Sequence, residues 1–173
     1  QVHTFTITDD DSYQIEIGGP VDGIENVAPS PATFVISMAG GVTNNTSGAD
    51  ITGTITYLGT AINGVDYTTQ NTFTLAMNAP SVTITLPVID DALLEGSETI
   101  IATIATSVGA IALTAPATAN ISDDEETTSE VSIGSSVNIN EGLGSVEFTV
   151  SLGTTNQTGI PITGDITYAI GVG

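Results

Sequence analysis

Residues Ser81–Ile100 read SVTITLPVIDDALLEGSETI, and two patterns meet in them. The first half alternates. Val82, Ile84, Leu86 and Val88 fall on one side, with Ser81, Thr83 and Thr85 on the other. A period of two is the mark of a β-strand with one buried face. The second half sets Asp90, Asp91, Glu95 and Glu98 close together in a chain that contains no lysine or arginine. Like charges about 4 Å apart repel by ~1 kcal/mol in water and by ~4 kcal/mol at an effective dielectric of 20. The stretch is therefore a strand running into an acidic loop, and relief of that repulsion has to come from outside the polypeptide.

The strand signature recurs on both sides. ATFVISMA sets Phe34, Ile36 and Met38 against Thr33, Val35 and Ser37. ITGTITYLG places Ile51, Gly53, Ile55 and Tyr57 on one face and threonines on the other, and TFTLAM groups Phe73, Leu75 and Met77. TIIATIATSV is apolar on both faces, as a central strand is, and ATANIS reads as a shorter final strand. Enrichment in Thr, Ile and Val agrees. Gly, Asn and Pro clusters such as AGGVTNNTSGAD and TAINGVDY mark the connections. About seven strands in ~110 residues predict an antiparallel β-sandwich.

The chain of 173 residues is 40% apolar, enough for a core, and its twenty acids give a formal net charge of −20. Phosphate-backbone binding depends on Lys and Arg, so nucleic acid is excluded as a partner, and anionic membrane surfaces are excluded on the same ground. No apolar run approaches the ~18 residues of a membrane helix. Without cysteine there is neither a disulfide nor thiolate chemistry. No Ser/His/Asp set and no phosphate-binding glycine loop is present, so catalysis is not expected.

The sequence also repeats. Ala32–Met38 (ATFVISM) matches Val146–Leu152 (VEFTVSL) 114 residues on, and FTITDDD (Phe5–Asp11) matches ANISDDE (Ala119–Glu125) at the same offset. Ile51–Tyr57 (ITGTITY) matches Ile162–Tyr168 (ITGDITY) at an offset of 111. This predicts the closing strand of one repeat in residues 1–11, a complete repeat in 12–126, a linker at 127–130 and the opening part of a further repeat in 131–173. Such an opening part cannot bury its own faces, so a longer natural chain is expected.

Within the complete repeat, the outward strand faces carry threonine while the acids gather where strands end. Glu25, Asp66, Asp90, Asp91, Glu95, Glu98, Asp123, Asp124 and Glu125 all fall in such places. Ca²⁺ is a hard cation that takes 6–8 oxygen ligands, which suits that distribution. A sandwich can bring three loops together at one end, and this many carboxylates suits two or more ions sharing ligands. Transition metals are poor candidates, since there is no Cys and the one His, His3, reads as an exposed or strand residue. The loop pattern of an EF-hand is absent.

NGVDYT, then SVTITLPVIDDALLEGSETI, then ATANISDDE together resemble the Calx-beta family. The resemblance implies an immunoglobulin-like β-sandwich, here in tandem, and it implies calcium ligands. Asp66 matches the aspartate of the D-Y pair, Asp90 and Asp91 the paired aspartates, and Glu95 and Glu98 the glutamates that follow. Asp123, Asp124 and Glu125 match the terminal acidic triplet. Glu25 matches the early glutamate, although the family usually shows E-G there, as Glu141 does in NEGLGS. The leading reading is a calcium-rigidified, non-catalytic repeat of a long extracellular adhesin or filament on a bacterial surface. Its partners are the neighbouring repeats and an unspecified adhesive target. The composition is in the style of gliding-motility adhesins of the Bacteroidota. Two further readings stand beside it: a regulatory Ca²⁺ sensor, and a ligand- or carbohydrate-binding accessory module using Tyr57, Tyr67 and the Asn-rich loop.

Overall fold

The computed structural model describes residues 3–5, 13–44, 49–106, 110–113, 115–125, 131–134, 142 and 145–168. Among them there are strands and turns and no helix, hence none long and apolar enough to cross a membrane. By backbone contacts the chain divides into two units. The first comprises Gln1–Asp91 with Ser97–Asp124, the second Ala92–Gly96 with Glu125–Gly173.

Strands form where the alternation predicts them, and the first unit stacks them in two sheets. One holds β1 (Tyr13–Val21), β3 (Ala32–Met38), β6 (Ser81–Leu86) and β9 (Ala110–Ala112) in the order β6-β3-β1-β9. The other holds β2 (Gly23–Ile24), β4 (Ile51–Gly59), β5 (Thr72–Leu75), β8 (Glu98–Thr106) and β10 (Ala117–Ser122) in the order β2-β10-β8-β4-β5. The core lies between them. Ile15, Ile17, Phe34, Ile36, Ile84 and Leu86 from the first sheet meet Ile51, Ile55, Phe73, Leu75, Ile100, Ala102, Ala119 and Ile121 from the second. Each large side chain fully buried in this way is worth about 1.5–3 kcal/mol relative to exposure. The described part of the apolar TIIATIATSV run, TIIATIAT, is central: β8 pairs with β10 on one side and β4 on the other.

Gly53 marks a close approach within the second sheet. A Cβ there would lie 2.2 Å from the Ala105 carbonyl oxygen and 2.6 Å from the Phe73 ring. Only glycine fits, which explains the small residue in the middle of an otherwise Ile-rich face.

Three features depart from the sequence reading. Strand β1 was not expected, although Tyr13, Ile15 and Ile17 alternate with Gln14 and Glu16; its short period is interrupted by Gly18-Gly19-Pro20, where the β1–β3 register shifts. The sandwich is not wholly antiparallel, because β1 pairs in parallel with β9 and β2 with β10. The opening segment crosses at Asp22 from one sheet to the other, and the Asp22 carboxylate accepts the Asn120 backbone N–H at 2.8 Å. Met77 does not join Phe73 and Leu75 inside. The chain turns after Leu75, with the Met77 N–H held by the Asp50 carboxylate at 2.8 Å and Asn78 in the left-handed region, so Met77 is left exposed. Val82 is half-buried and packs against the core edge, while Tyr57 does the same from β4.

The Asn-rich connection buries Asn44 completely. Its side-chain amide donates to the carbonyls of Ala49 and Leu75 at 3.0 and 2.9 Å, which satisfies a polar group that would otherwise be costly inside.

In the second unit, β11 (Val131–Ile133) pairs antiparallel with β12 (Val150–Leu152). Likewise β7 (Leu93–Leu94) pairs in parallel with β13 (Thr155–Asn156). Asp9, Asp10, Asp11, Glu141 and the linker at 127–130 lie outside the described residues.

Candidate metal centre

The registers place one set of strand ends together. Ala32, where β3 begins, faces Leu86, where β6 ends; Glu98, where β8 begins, faces Ile121 near the end of β10. The end of β4, Gly59, faces Ile100. The connections that leave these ends carry the acids: 25–31, 60–71, 87–97 and 123–125.

Glu25 is held from two sides. Its backbone N–H donates to the Ser122 carbonyl at 2.9 Å, which ties it to the end of β10 just before Asp123. Its carboxylate accepts the Asp91 backbone N–H at 3.0 Å. The small loop bearing it is closed by reciprocal backbone bonds between Ile24 and Ser30 at 3.0 and 2.9 Å, and the Asn26 side chain caps Ala28 at 2.9 Å. Glu25 is only 3% exposed.

Asp66 is equally buried, at 3%. Its carboxylate caps a tight turn by accepting the Ile62 N–H. Its backbone carbonyl accepts the Ile89 N–H at 2.9 Å, and Thr68 donates to Pro87 at 2.9 Å. The Asp66 connection is thereby zipped to the residues just before Asp90. Tyr67 bridges Val88, and its ring meets Tyr57 edge-on at 6.2 Å and 73°. Burial raises the Tyr67 phenol, and the negative charge of Asp66 adds to the rise. Burial, then Tyr67, raises Tyr57 as well, and the Tyr57 hydroxyl donates to the Gln70 carbonyl at 2.8 Å.

Glu98 is anchored through its neighbour. The Thr99 N–H donates to the Thr60 hydroxyl at 2.9 Å, and the Thr60 N–H donates to the Thr99 hydroxyl at 3.2 Å. This reciprocal threonine clasp fastens the start of β8 to the end of β4. Nothing in the sequence distinguishes these two threonines from the many that face solvent.

Three groups of carboxylates result, each with one oxygen per residue lying within 4.8 Å of the others. Within the first unit they are Glu25 with Asp91, Asp66 with Glu98, and Asp123 with Asp124. Asp90 belongs to none of these groups. His3 is exposed.

The donor set suits a hard divalent cation. Oxygens that bind one Ca²⁺ at 2.3–2.6 Å can be no more than about 5 Å apart, and each group meets that limit. Two of the carboxylates, Glu25 and Asp66, are taken almost wholly out of water in a chain without Lys or Arg. Buried charges demand pairing or metal coordination. With neither Cys nor an imidazole in the groups, soft or borderline metals find no preferred ligand.

No protein-family model matches the chain, and no curated protein matches it. Among solved structures it is similar to the crystal structure of CBD12 from CALX1.2. The TM-score is 0.51 at 19% sequence identity, over 79% of this chain and 55% of that one. The crystal structure of calcium binding domain CBD12 of CALX1.1 aligns with a TM-score of 0.48 at 18% identity, over 64% of this chain and 44% of that one. The chain thus spans about half the length of the solved structures it matches. At this level of identity the likeness to CBD12 from CALX1.2 is one of fold: the chain is an all-β sandwich of the Calx-beta type.

Proposed function

We propose that this protein is a calcium-binding, non-catalytic sandwich module that serves as a structural repeat of a long extracellular adhesin or filament on a bacterial surface. The observation that carries the reading is the burial of Glu25 and Asp66 among other carboxylates in a chain with no cationic Lys or Arg. Two or more Ca²⁺ ions would be held by Glu25, Asp66, Asp91, Glu95, Glu98 and the Asp123–Glu125 triplet. The ion supplies positive charge and fixes loop geometry. The chain supplies the pre-set backbone ties at Ser122, Ile62 and Ile89 that aim the carboxylates. The internal repeat at 111–114 residues supports a serial, load-bearing role, and the hydroxyl-rich, lysine-free surface supports an extracellular one.

A calcium sensor on the same fold is the second reading, and affinity separates the two. Extracellular modules bind Ca²⁺ at about 10⁻⁴–10⁻³ M and sensors at about 10⁻⁷–10⁻⁵ M. The test is a thermal melt of the chain in EDTA and through a calcium titration. A stabilisation that develops near millimolar calcium supports the structural repeat. One that saturates in the micromolar range supports the sensor, and no stabilisation at all removes calcium from the account.

A further inference from the structure

Strand β4 is longer than its neighbour on the outer side of the second sheet. It has 9 residues, and β5 has 4. β5 pairs with Ile51–Thr54 alone, and one further bond follows, from the Ile55 N–H to the Asn71 carbonyl at 2.9 Å. On its inner side β4 stays paired with β8 as far as Gly59. The backbone groups of a strand point alternately to its two sides. Ile55 donates toward the β5 side, so Tyr57 and Gly59 point that way too, while Thr56 and Leu58 point to β8. Among the described residues no strand runs along Tyr57–Gly59 on the outer side. The Tyr57 hydroxyl does reach Gln70, but that bond is made by the side chain.

The open edge borders a trough of about 590 Å³, walled on the far side by the connection through Ile62, Asn63 and Thr69. No charged residue lines it. Leu58 stands 72% exposed beside the half-buried Tyr57. Unpaired N–H and C=O groups along an edge are a template for another strand, and Lys, Pro or a covering element is what blunts such an edge. Residues 55–59, ITYLG, carry neither charge nor proline.

We infer that the outer edge of β4 at Tyr57–Gly59 is a strand-addition site whose occupant is an extended, cationic peptide segment of another protein. The Tyr57 N–H and C=O and the Gly59 N–H supply the main-chain bonds. Alternate side chains of an added strand face opposite sides of the sheet. The apolar set packs beside the Tyr57 ring, and the Lys or Arg set lays its stems over Leu58 with the charged heads in water. Charge selects the occupant. The chain has a formal net charge of −20 and no Lys or Arg, so a second copy is repelled while a basic strand is drawn in. The inference stands apart from the calcium reading, since no carboxylate lines the trough.

Two measurements test it. In the free chain, amide hydrogen exchange should be faster at Tyr57 and Gly59 than at Thr56 and Leu58 by about tenfold or more, because only the latter two face β8. The isotope-labelled chain is then titrated at physiological salt with the peptide KVKVKVKVK, up to ~1 mM. Resonance shifts should centre on residues 55–59, and exchange at Tyr57 should slow by about tenfold or more. The equally charged KVKPKPKVK, which cannot complete a ladder, should leave these amides unmoved. Leu58→Lys places like charge opposite the peptide lysines; it should weaken binding about tenfold and leave the melt of the first unit unchanged. Three results would overturn the inference. Tyr57 and Gly59 are already protected in the free chain, whether by the chain itself or by dimer formation. The two peptides act alike on residues 55–59, so that charge alone attracts them. Or KVKVKVKVK leaves those residues unmoved throughout the titration.

Discussion

Replacing Asp66 by Asn separates a ligand from a structural anchor by the sign of its effect. The amide oxygen can still accept the Ile62 N–H, so the turn survives while the charge goes. The Asp66 oxygen lies within 4.8 Å of an oxygen of Glu98. At that distance the two ionised carboxylates repel by ~3.5 kcal/mol at an effective dielectric of 20. Glu98 is half-exposed, and solvent and salt screen most of this, leaving a net relief of about 1 kcal/mol. In EDTA, Asp66→Asn should therefore raise the melting temperature, by about 4–8 °C for each kcal/mol in a unit of this size. In calcium the sign reverses. A variant whose Kd is tenfold weaker loses about 1.4 kcal/mol of ligand-linked stability at saturation, and more where several ligands act together. The assay is a pair of calorimetric melts, in EDTA and in 10 mM calcium chloride, with a magnesium control. If Asp66→Asn lowers the melting temperature equally in both, Asp66 is a turn cap alone and the reasoning from clustered charge fails.

Other outcomes follow from the packing. Gly53→Ala should destabilise the first unit by about 1–3 kcal/mol or block its folding, because the added carbon meets the Ala105 carbonyl; chemical denaturation measures it. Phe34→Ala empties the middle of the core and should cost about 3–5 kcal/mol by the same measurement. The raised Tyr57 phenol gives a pH dependence of definite sign. Its proton is held more tightly in the folded chain than in the unfolded one, so the associated stability is complete below pH ~10 and is lost as pH rises above it. Tyr57→Phe should flatten that alkaline fall, and should cost about 0.5–1.5 kcal/mol at neutral pH through the bond to Gln70; melts from pH 7 to 11 read both. Thr60→Val breaks the clasp beside Glu98, and titration calorimetry should show weaker calcium binding with Asp66 and Glu95 intact.

The sandwich was legible because its strands bury one face each, and period two writes that burial directly into ATFVISM, ITGTITY and SVTITL. Where a strand is short or bent the pattern fades. β1 does not stand out because its Gly-Gly-Pro interruption resembles a turn, and β2 spans only Gly23–Ile24. The parallel closures could not be read, because pairing direction is set by the return path of the chain and leaves no mark on alternation. Met77 continues the apolar pattern of β5 yet sits outside, since the caps at Asp50 and Asn44 fix the turn and those caps act from far along the chain. The acidic loops were visible as composition. Their grouping was not, because it depends on backbone ties such as Glu25 to Ser122 and Asp66 to Ile89, between residues separated by many positions. Asp22 and Asp50 look like any other acids in the sequence, but they bind backbone N–H groups instead of joining a cluster.

The two parallel closures have a mechanical consequence. β1 runs alongside β9 and β2 alongside β10 in the same direction, so the first unit is entered at one end and left at the other. Tension applied along the backbone would pull these strands past each other lengthwise. Every hydrogen bond of a closure then carries load at once, whereas an antiparallel hairpin peels open one bond at a time. The exit from β10 is also where Glu25 grips Ser122 and the Asp123–Glu125 triplet begins. An ion bound there would act as a rivet across the strand that bears the pull, and the force needed to rupture the unit should rise with calcium concentration.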